Sequence, residues 1–139
     1  MSEELPAHLR PEASGSAAAY WDGARRGKLL LPRCTACAST TWPPRKRCPA
    51  CGSALAWVEA SGRGVVHTYT VVRHNADPWL AARLPYVVAM IELDEGPRLM
   101  SNVVGCDVDA VRIGMPVAVT FVDVGADVRL PMFEPSGAR

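Results

Sequence analysis

Four cysteines constrain this chain more than any other feature. Cys34-Thr35-Ala36-Cys37 and Cys48-Pro49-Ala50-Cys51 are two C-x-x-C pairs with ten residues between them. Thiolates placed by two tight turns close a tetrahedral four-sulfur cage, the geometry of structural zinc. Pro49 inside the second pair and Gly52 after it suit a knuckle whose backbone amides point at sulfur. The spacer is shorter than the ~15–20 residues of the common ribbon template, so the loop is atypical while the ligand set is not. The rival readings are a thioredoxin-like redox pair, iron in a rubredoxin-like site, and two disulfides. Doubling of the motif favours zinc. All four positions of such a cage are filled, so the one zinc is expected to be structural.

Charge near the pairs is a second signal. Between Gly23 and Val58 stand Arg25, Arg26, Lys28, Arg33, Arg45, Lys46 and Arg47, with no acid among them. This segment reads equally as a docking surface for phosphates and as a solvated face that softens the charge of the thiolate cluster. The whole chain carries only +1, so its net charge implies neither a nucleic-acid nor a membrane partner. The start, Met1-Ser2-Glu3-Glu4-Leu5-Pro6, is acidic and has no apolar run of a secretory signal. No apolar stretch approaches the ~20 residues of a membrane span. A cytoplasmic location is therefore expected, where thiols stay reduced.

Residues 1–15 mix Pro, Glu, Ala, Ser and Gly without periodicity and predict a disordered tail. Ser16 is placed to cap a helix over residues 17–26 that Gly27 stops, with Gly23 a weakness inside it. Residues 29–32 predict a short strand, which gives a helix-plus-ribbon module over 16–54. From Leu55 the period changes to two. Residues 55–60 and 65–73 read as one long strand bent at Gly62 and Gly64. Residues 86–93 alternate cleanly, Asp94-Glu95-Gly96 turns the chain into residues 98–104, and residues 117–122 and 128–130 supply two more strands. About five strands without a long helix predict a small barrel or sandwich over 55–133, with 134–139 a C-terminal tail.

No nucleophile–base constellation accompanies these elements: G-x-S-x-G, G-x-x-x-x-G-K-[ST], H-E-x-x-H and G-x-G-x-x-G are all missing. His67 and His74 read as strand residues rather than bases, and Cys106 as a small buried or turn residue. No catalytic residue is assigned. The loop 75–84 gathers Trp79, Leu80 and Leu84 outside the strand pattern. It reads either as an exposed anchor for a partner or acyl group, or as a plug folded over the barrel mouth.

The order of motifs is specific. Tyr20-Trp21, Gly27-Lys28-Leu29, the two C-x-x-C pairs flanking Pro43-Pro44-Arg45, Ser61-Gly62-Arg63-Gly64, Pro85-Tyr86-Val87-Val88-Ala89, Leu93-Asp94-Glu95-Gly96-Pro97, Ile113-Gly114-Met115-Pro116 and Pro131-x-Phe133 follow one another. Over residues 17–133 this resembles the zinc-ribbon/OB-fold family of acyl-CoA-associated proteins. The resemblance implies a mostly β chain: an N-terminal helix and rubredoxin-like zinc ribbon, then a five-stranded OB-fold barrel. It also implies a non-catalytic partner of thiolase-like enzymes (thiolases, acyltransferases and steroid side-chain aldolases) or of enoyl-CoA hydratases. A heterotetramer with two copies of this chain is the implied assembly with a thiolase-fold dimer.

Two functions follow: an acyl-CoA-associated partner subunit, or a nucleic-acid-binding ribbon/OB module. Single-strand binding on an OB surface wants several exposed aromatics, each worth about 1–3 kcal/mol of stacking. Only Trp57, Tyr69, Tyr86 and Phe121 fall on the predicted barrel strands, and +1 lacks the electrostatic footprint of such a binder. The partner reading is favoured. Its expected sites are Cys34, Cys37, Cys48 and Cys51 for zinc, with Tyr20, Trp21, Arg45, Lys46 and Arg47 as acyl-CoA contacts.

Overall fold

The computed structural model of the chain describes residues 4–137. Helix α1 (Ala18–Arg25) leads into strand β1 (Leu30–Cys34), which pairs antiparallel with β2 (Leu55–Glu59) in register Leu31↔Val58 and Cys34↔Leu55. A short 3-10 turn at Gly15–Ala17 precedes the helix, and Ala17, not Ser16, occupies the cap position without a side-chain bond. Gly23 has a packing purpose that propensity does not reveal. A Cβ there would lie 2.7 Å from Leu30 Cγ and 3.2 Å from the Lys28 carbonyl, so only glycine lets β1 lie this close to the helix.

β2 corrects the expected bent strand. It belongs to the ribbon's two-stranded sheet, and the barrel begins beyond it. Gly62, at φ +81°, turns the chain between the two sheets; a Cβ there would meet Val119 Cγ1 at 2.6 Å. The barrel comprises β3 (Arg63–Val72), β4 (Tyr86–Leu93), β5 (Arg98–Val103), β6 (Pro116–Asp123) and β7 (Arg129–Pro135). They close in the order β3-β4-β5-β7-β6, sealed by β3 against β6 at Gly64↔Val117. This closed five-stranded barrel is the OB architecture expected. The bulge in β3 falls between Val66 and Thr68, not at the glycines. The last strand is longer than residues 128–130 and takes in Glu134 and Pro135, so the predicted C-terminal tail starts inside it. Residues 138–139 lie outside the described residues.

Period-two alternation puts Val87, Ala89, Ile91 and Leu93 of β4 inside, beside Val66, Leu99, Val103, Val117 and Phe133. Each of these side chains larger than alanine contributes about 1.5–3 kcal/mol on burial. Tyr20, Leu29, Leu31 and Ala60 join the same cluster, so helix, ribbon base and barrel share one core.

Within the described part of the predicted tail, Leu5 is packed rather than loose. Leu5 is 3% exposed and forms a second cluster with Trp79 and Val124. Its N–H donates to the Val124 carbonyl at 2.8 Å, and Glu4 Oε2 accepts from the Ala126 N–H at 2.8 Å. Residues 1–3 of that prediction lie outside the described residues. No helix among the described residues is long and apolar enough to cross a membrane.

Candidate metal centre and aromatic corner

The four cysteine sulfurs converge within 4.8 Å of one another, an arrangement able to hold one metal ion. Cys34 Sγ lies 3.4 Å from Cys51 Sγ, and Cys37 Sγ 3.7 Å from Cys48 Sγ. A tetrahedron with Zn–S bonds of about 2.3 Å has edges of roughly 3.8 Å, so the sulfurs already stand near the separations that zinc requires. Two matching knuckles produce this. The Ala36 and Cys37 amides donate to Cys34 Sγ at 3.3 Å, and the Ala50 amide to Cys48 Sγ at 3.4 Å. Behind each first cysteine the chain folds back alike: Ala38 N–H donates to Cys34 O at 3.2 Å, and Gly52 N–H to Cys48 O at 2.9 Å. The Ser39 hydroxyl, 3.2 Å from Cys37 Sγ, leads the bonds that hold that thiol down to about 6. Ser53 likewise lowers Cys51. Both serines favour the thiolate, the form that binds metal. Cys34 and Cys48 are buried while Cys37 and Cys51 face outward.

Tyr20 and Trp21, adjacent on α1, meet edge to face at 5.0 Å between ring centroids. Tyr20 also packs against Trp42 at 4.6 Å, a residue of the spacer that sequence reasoning did not select. Tyr20 is buried, and burial pushes its hydroxyl well above the ordinary tyrosine value. It therefore backs the corner, and the half-buried Trp21 and Trp42 form its accessible walls. A small cavity of about 230 Å³ lies here, bounded also by Met100 and Met132.

The basic residues divide into two groups. Asp22 pairs with Arg25, bonds Arg26 at 3.2 Å, and Asp127 takes the other side of Arg25 at 2.8 Å. These two arginines therefore already have carboxylate partners on the surface. Among the described residues no carboxylate forms an ion pair with Lys28, Arg33, Arg45, Lys46 or Arg47. Arg45, Lys46 and Arg47 are exposed beside the second knuckle, where Arg47 Nη1 donates to the Gly52 carbonyl at 3.2 Å. No hydrogen bond joins this triplet to Tyr20 or Trp21.

The ribbon and barrel each match a family model: "ChsH2, rubredoxin-like zinc ribbon domain" over residues 21–57, and "ChsH2, C-terminal OB-fold domain" over residues 57–122. The chain belongs to the ChsH2 zinc-ribbon/OB-fold family. It is 41% identical to a probable enoyl-CoA hydratase alpha subunit of Thermomonospora curvata, over 97% of this chain and 43% of that protein. It is 35% identical to the 3-oxo-4,17-pregnadiene-20-carboxyl-CoA hydratase alpha subunit of Mycobacterium tuberculosis, over 93% of this chain and 40% of that one. The chain thus spans about two fifths of the length of these hydratase subunits. A DUF35 domain-containing scaffold protein of Methanocaldococcus jannaschii is 38% identical over 71% of each chain. Among solved structures, the Ltp2-ChsH2(DUF35) aldolase matches with a TM-score of 0.84 and 40% identity, over 91% of this chain and 98% of that chain.

In this ChsH2-family chain the loop 75–84 is folded in. Asp77 accepts from the Trp79 and Leu80 amides at 3.0 and 3.4 Å and caps the one-turn helix α2 (Pro78–Ala81). Trp79 is buried against Leu5 and Val124, so it is no exposed anchor. His67 is exposed, 3.9 Å from Glu92 Oε1, and Cys106 is half-buried.

Proposed function

We propose that this chain is a non-catalytic subunit that docks on an acyl-CoA-processing enzyme of thiolase fold and helps form its acyl-CoA site. The observation that carries the reading is its likeness to the Ltp2-ChsH2(DUF35) aldolase chain, 98% of whose length it covers at 40% identity. The donor set agrees: four protein thiolates saturate a tetrahedral zinc, which then holds the ribbon in shape and leaves no position for activated water. Names of relatives speak of hydratase subunits and a scaffold, which supports a role exercised inside a larger assembly. Arg45, Lys46 and Arg47 offer donors to CoA phosphates. Trp21 and Trp42, backed by Tyr20, supply flat walls for pantetheine or acyl groups. The partner is a thiolase-like aldolase or acyltransferase acting in steroid or lipid side-chain degradation, and the assembly is a cytoplasmic heterotetramer.

Co-expression with such an enzyme tests this. The complex should co-purify, bind acyl-CoA, and lose affinity as salt rises. Replacing Arg45, Lys46 and Arg47 together by Ala should raise KM for acyl-CoA while zinc content stays at one equivalent. A mixed-sequence oligonucleotide at matched ionic strength is the counter-probe. Micromolar oligonucleotide binding without an acyl-CoA response, or turnover of acyl-CoA by this chain alone, would overturn the reading.

A further inference from the structure

The outer surface of the barrel carries an apolar face that the metal centre and the aromatic corner do not explain. Strand alternation that buries Val103, Val117 and Phe133 must turn their neighbours outward. Asn102 of β5, Leu130 and Met132 of β7, and Val122 of β6 therefore share one outer face. The loop holding α2 folds over it, and a cleft of about 460 Å³ remains between them. That volume is in the range of small-molecule sites, about 300–1,000 Å³.

The roof is held before any ligand arrives. Trp79 is packed in a cluster with Leu5 and Val124, and the Arg83 guanidinium lies over its ring, 3.4 Å from the ring centroid. Asp77 caps α2 beneath it. A cleft preorganised in this way does not have to order its own walls on binding.

The polar groups that line the cleft define the ligand's chemistry. Among the described residues no carboxylate lines the cleft. Arg83 uses Nη1 on the Trp79 carbonyl at 2.8 Å, which leaves four further guanidinium N–H groups. Tyr86 Oη accepts from Asn75 Nδ2 at 2.9 Å, so its own proton can be donated elsewhere. Asn102 directs one N–H to the Val87 carbonyl at 2.8 Å. An apolar cavity with a surplus of donors and one cation calls for an apolar body with an acceptor end.

We propose that this outer cleft binds an apolar chain ending in a carboxylate or a thioester carbonyl, with that end at Arg83 and Tyr86 and the chain over Leu130, Met132 and Val122. Asn102, Leu130 and Met132 also border the cavity beside Trp21 and Trp42, so the cleft adjoins the aromatic corner. Assigning the chain as the acyl part of an acyl-CoA rests on the function proposed above; binding of a free carboxylate does not.

Calorimetric titration of the full chain with decanoate, decanol and decanoyl-CoA tests this, with zinc content and far-UV circular dichroism confirming the fold of each variant. Decanoate should bind, and decanol about five- to tenfold more weakly, for want of the charge-assisted bond. Arg83→Ala should bring decanoate to the level of decanol. Val108→Trp should fill the cleft and abolish both, with Val104→Trp the substitute if the first does not fold. Loss of decanoyl-CoA binding in the filled variant assigns the thioester as the source. Its retention, with decanoate binding lost, assigns the free acid. No decanoate binding to the parent chain, or binding that survives both Arg83→Ala and the filled cleft, would overturn the proposal. So would a filled variant that keeps decanoate but no longer captures the enzyme partner, which would make the cleft a protein-docking groove. The proposed function fails by a different route, through co-purification and the Arg45-Lys46-Arg47 variant.

Discussion

The ribbon tip and the barrel are held by different forces. Between Thr35 and Glu59 only Cys48 is buried. The barrel strands, by contrast, bury Val66, Val87, Ala89, Ile91, Leu93, Leu99, Val103, Val117 and Phe133 around one centre. A segment whose one fully buried side chain is a cysteine, with Trp42 and Trp57 only partly buried against the core, cannot offset the entropy of ordering twenty-odd residues by apolar burial, since each costs about 1–2 kcal/mol in backbone freedom alone. Metal must supply what packing does not. The ribbon base is another matter, because Leu29, Leu31 and Ala60 belong to the barrel's own cluster. The boundary between metal-held and core-held structure therefore runs through β1, not between two autonomous domains.

Removing the metal tests that boundary most severely. Chelation, or Cys48→Ser, should remove on the order of 10 kcal/mol of coupled binding and folding from the tip. In amide-exchange measurements residues 35–54 should lose protection while Val87–Leu93 keep theirs. If the β4 amides open together with the ribbon, the two regions are one cooperative unit and the comparison breaks. The complementary lesion is Phe133→Ala, which deletes a fully buried ring and should cost about 3–5 kcal/mol in urea unfolding. Zinc content should stay at one equivalent, and an equal loss of metal affinity would contradict the division of labour.

What could be read from the residues follows the same division. The cysteine pairs were legible because metal chemistry is encoded in spacing, and β4 because one-sided burial writes itself as alternation at Val87, Ala89, Ile91 and Leu93. β2 pairs in the ribbon sheet, not in the barrel its strand pattern suggests. Five residues of strand pattern say nothing about which partner they pair with, and Leu55↔Cys34 is a tertiary fact. β7 looked short because Pro131 interrupts its pattern, as proline normally does in a strand. It is tolerated where β7 meets β5 at the single register position Val103↔Phe133. The short pattern ends at Leu130 and leaves out Met132, and with it one wall of the outer cleft. Trp42 leaves no pattern in the sequence because its contact with Tyr20 crosses from spacer to helix. The Asp22 pairs are readable from three- and four-residue spacing on a helix, since Asp22 stands just ahead of the acid-free run that opens at Gly23.

The N-terminal segment sharpens the comparison from a third side. Leu5 lacks any periodic context, yet it covers Trp79 and Val124. Leu5→Ala should cost about 2 kcal/mol, at the low end for a buried leucine because this cluster is small and its neighbours can settle. The loss should appear in the urea midpoint and in amide exchange around α2, with zinc affinity untouched. An unchanged midpoint would mean that the segment lies on the barrel without supporting it.

The smallest effect addresses the knuckles themselves. Ala38 and Gly52 hold the same place, four residues after the first cysteine of each pair, and both take left-handed backbone at φ 64° and 78°. An alanine there bears about 1–2 kcal/mol of strain that glycine avoids. Glycine in turn gives back about 0.4–1 kcal/mol through its freer unfolded chain. A Cβ on Gly52 would meet nothing within 4 Å, so only the backbone is at issue. Gly52→Ala should therefore cost, and Ala38→Gly should gain, about 0.5–1 kcal/mol, or roughly two- to fivefold in apparent zinc affinity by competition with a chromophoric chelator. The double variant, glycine exchanged between the knuckles, should return close to the parent affinity if the two are equivalent supports of one metal. Because the tip is metal-held, the urea midpoint of the barrel should stay fixed through the series. A midpoint that falls with Gly52→Ala as far as zinc affinity does would show that knuckle strain reaches the core.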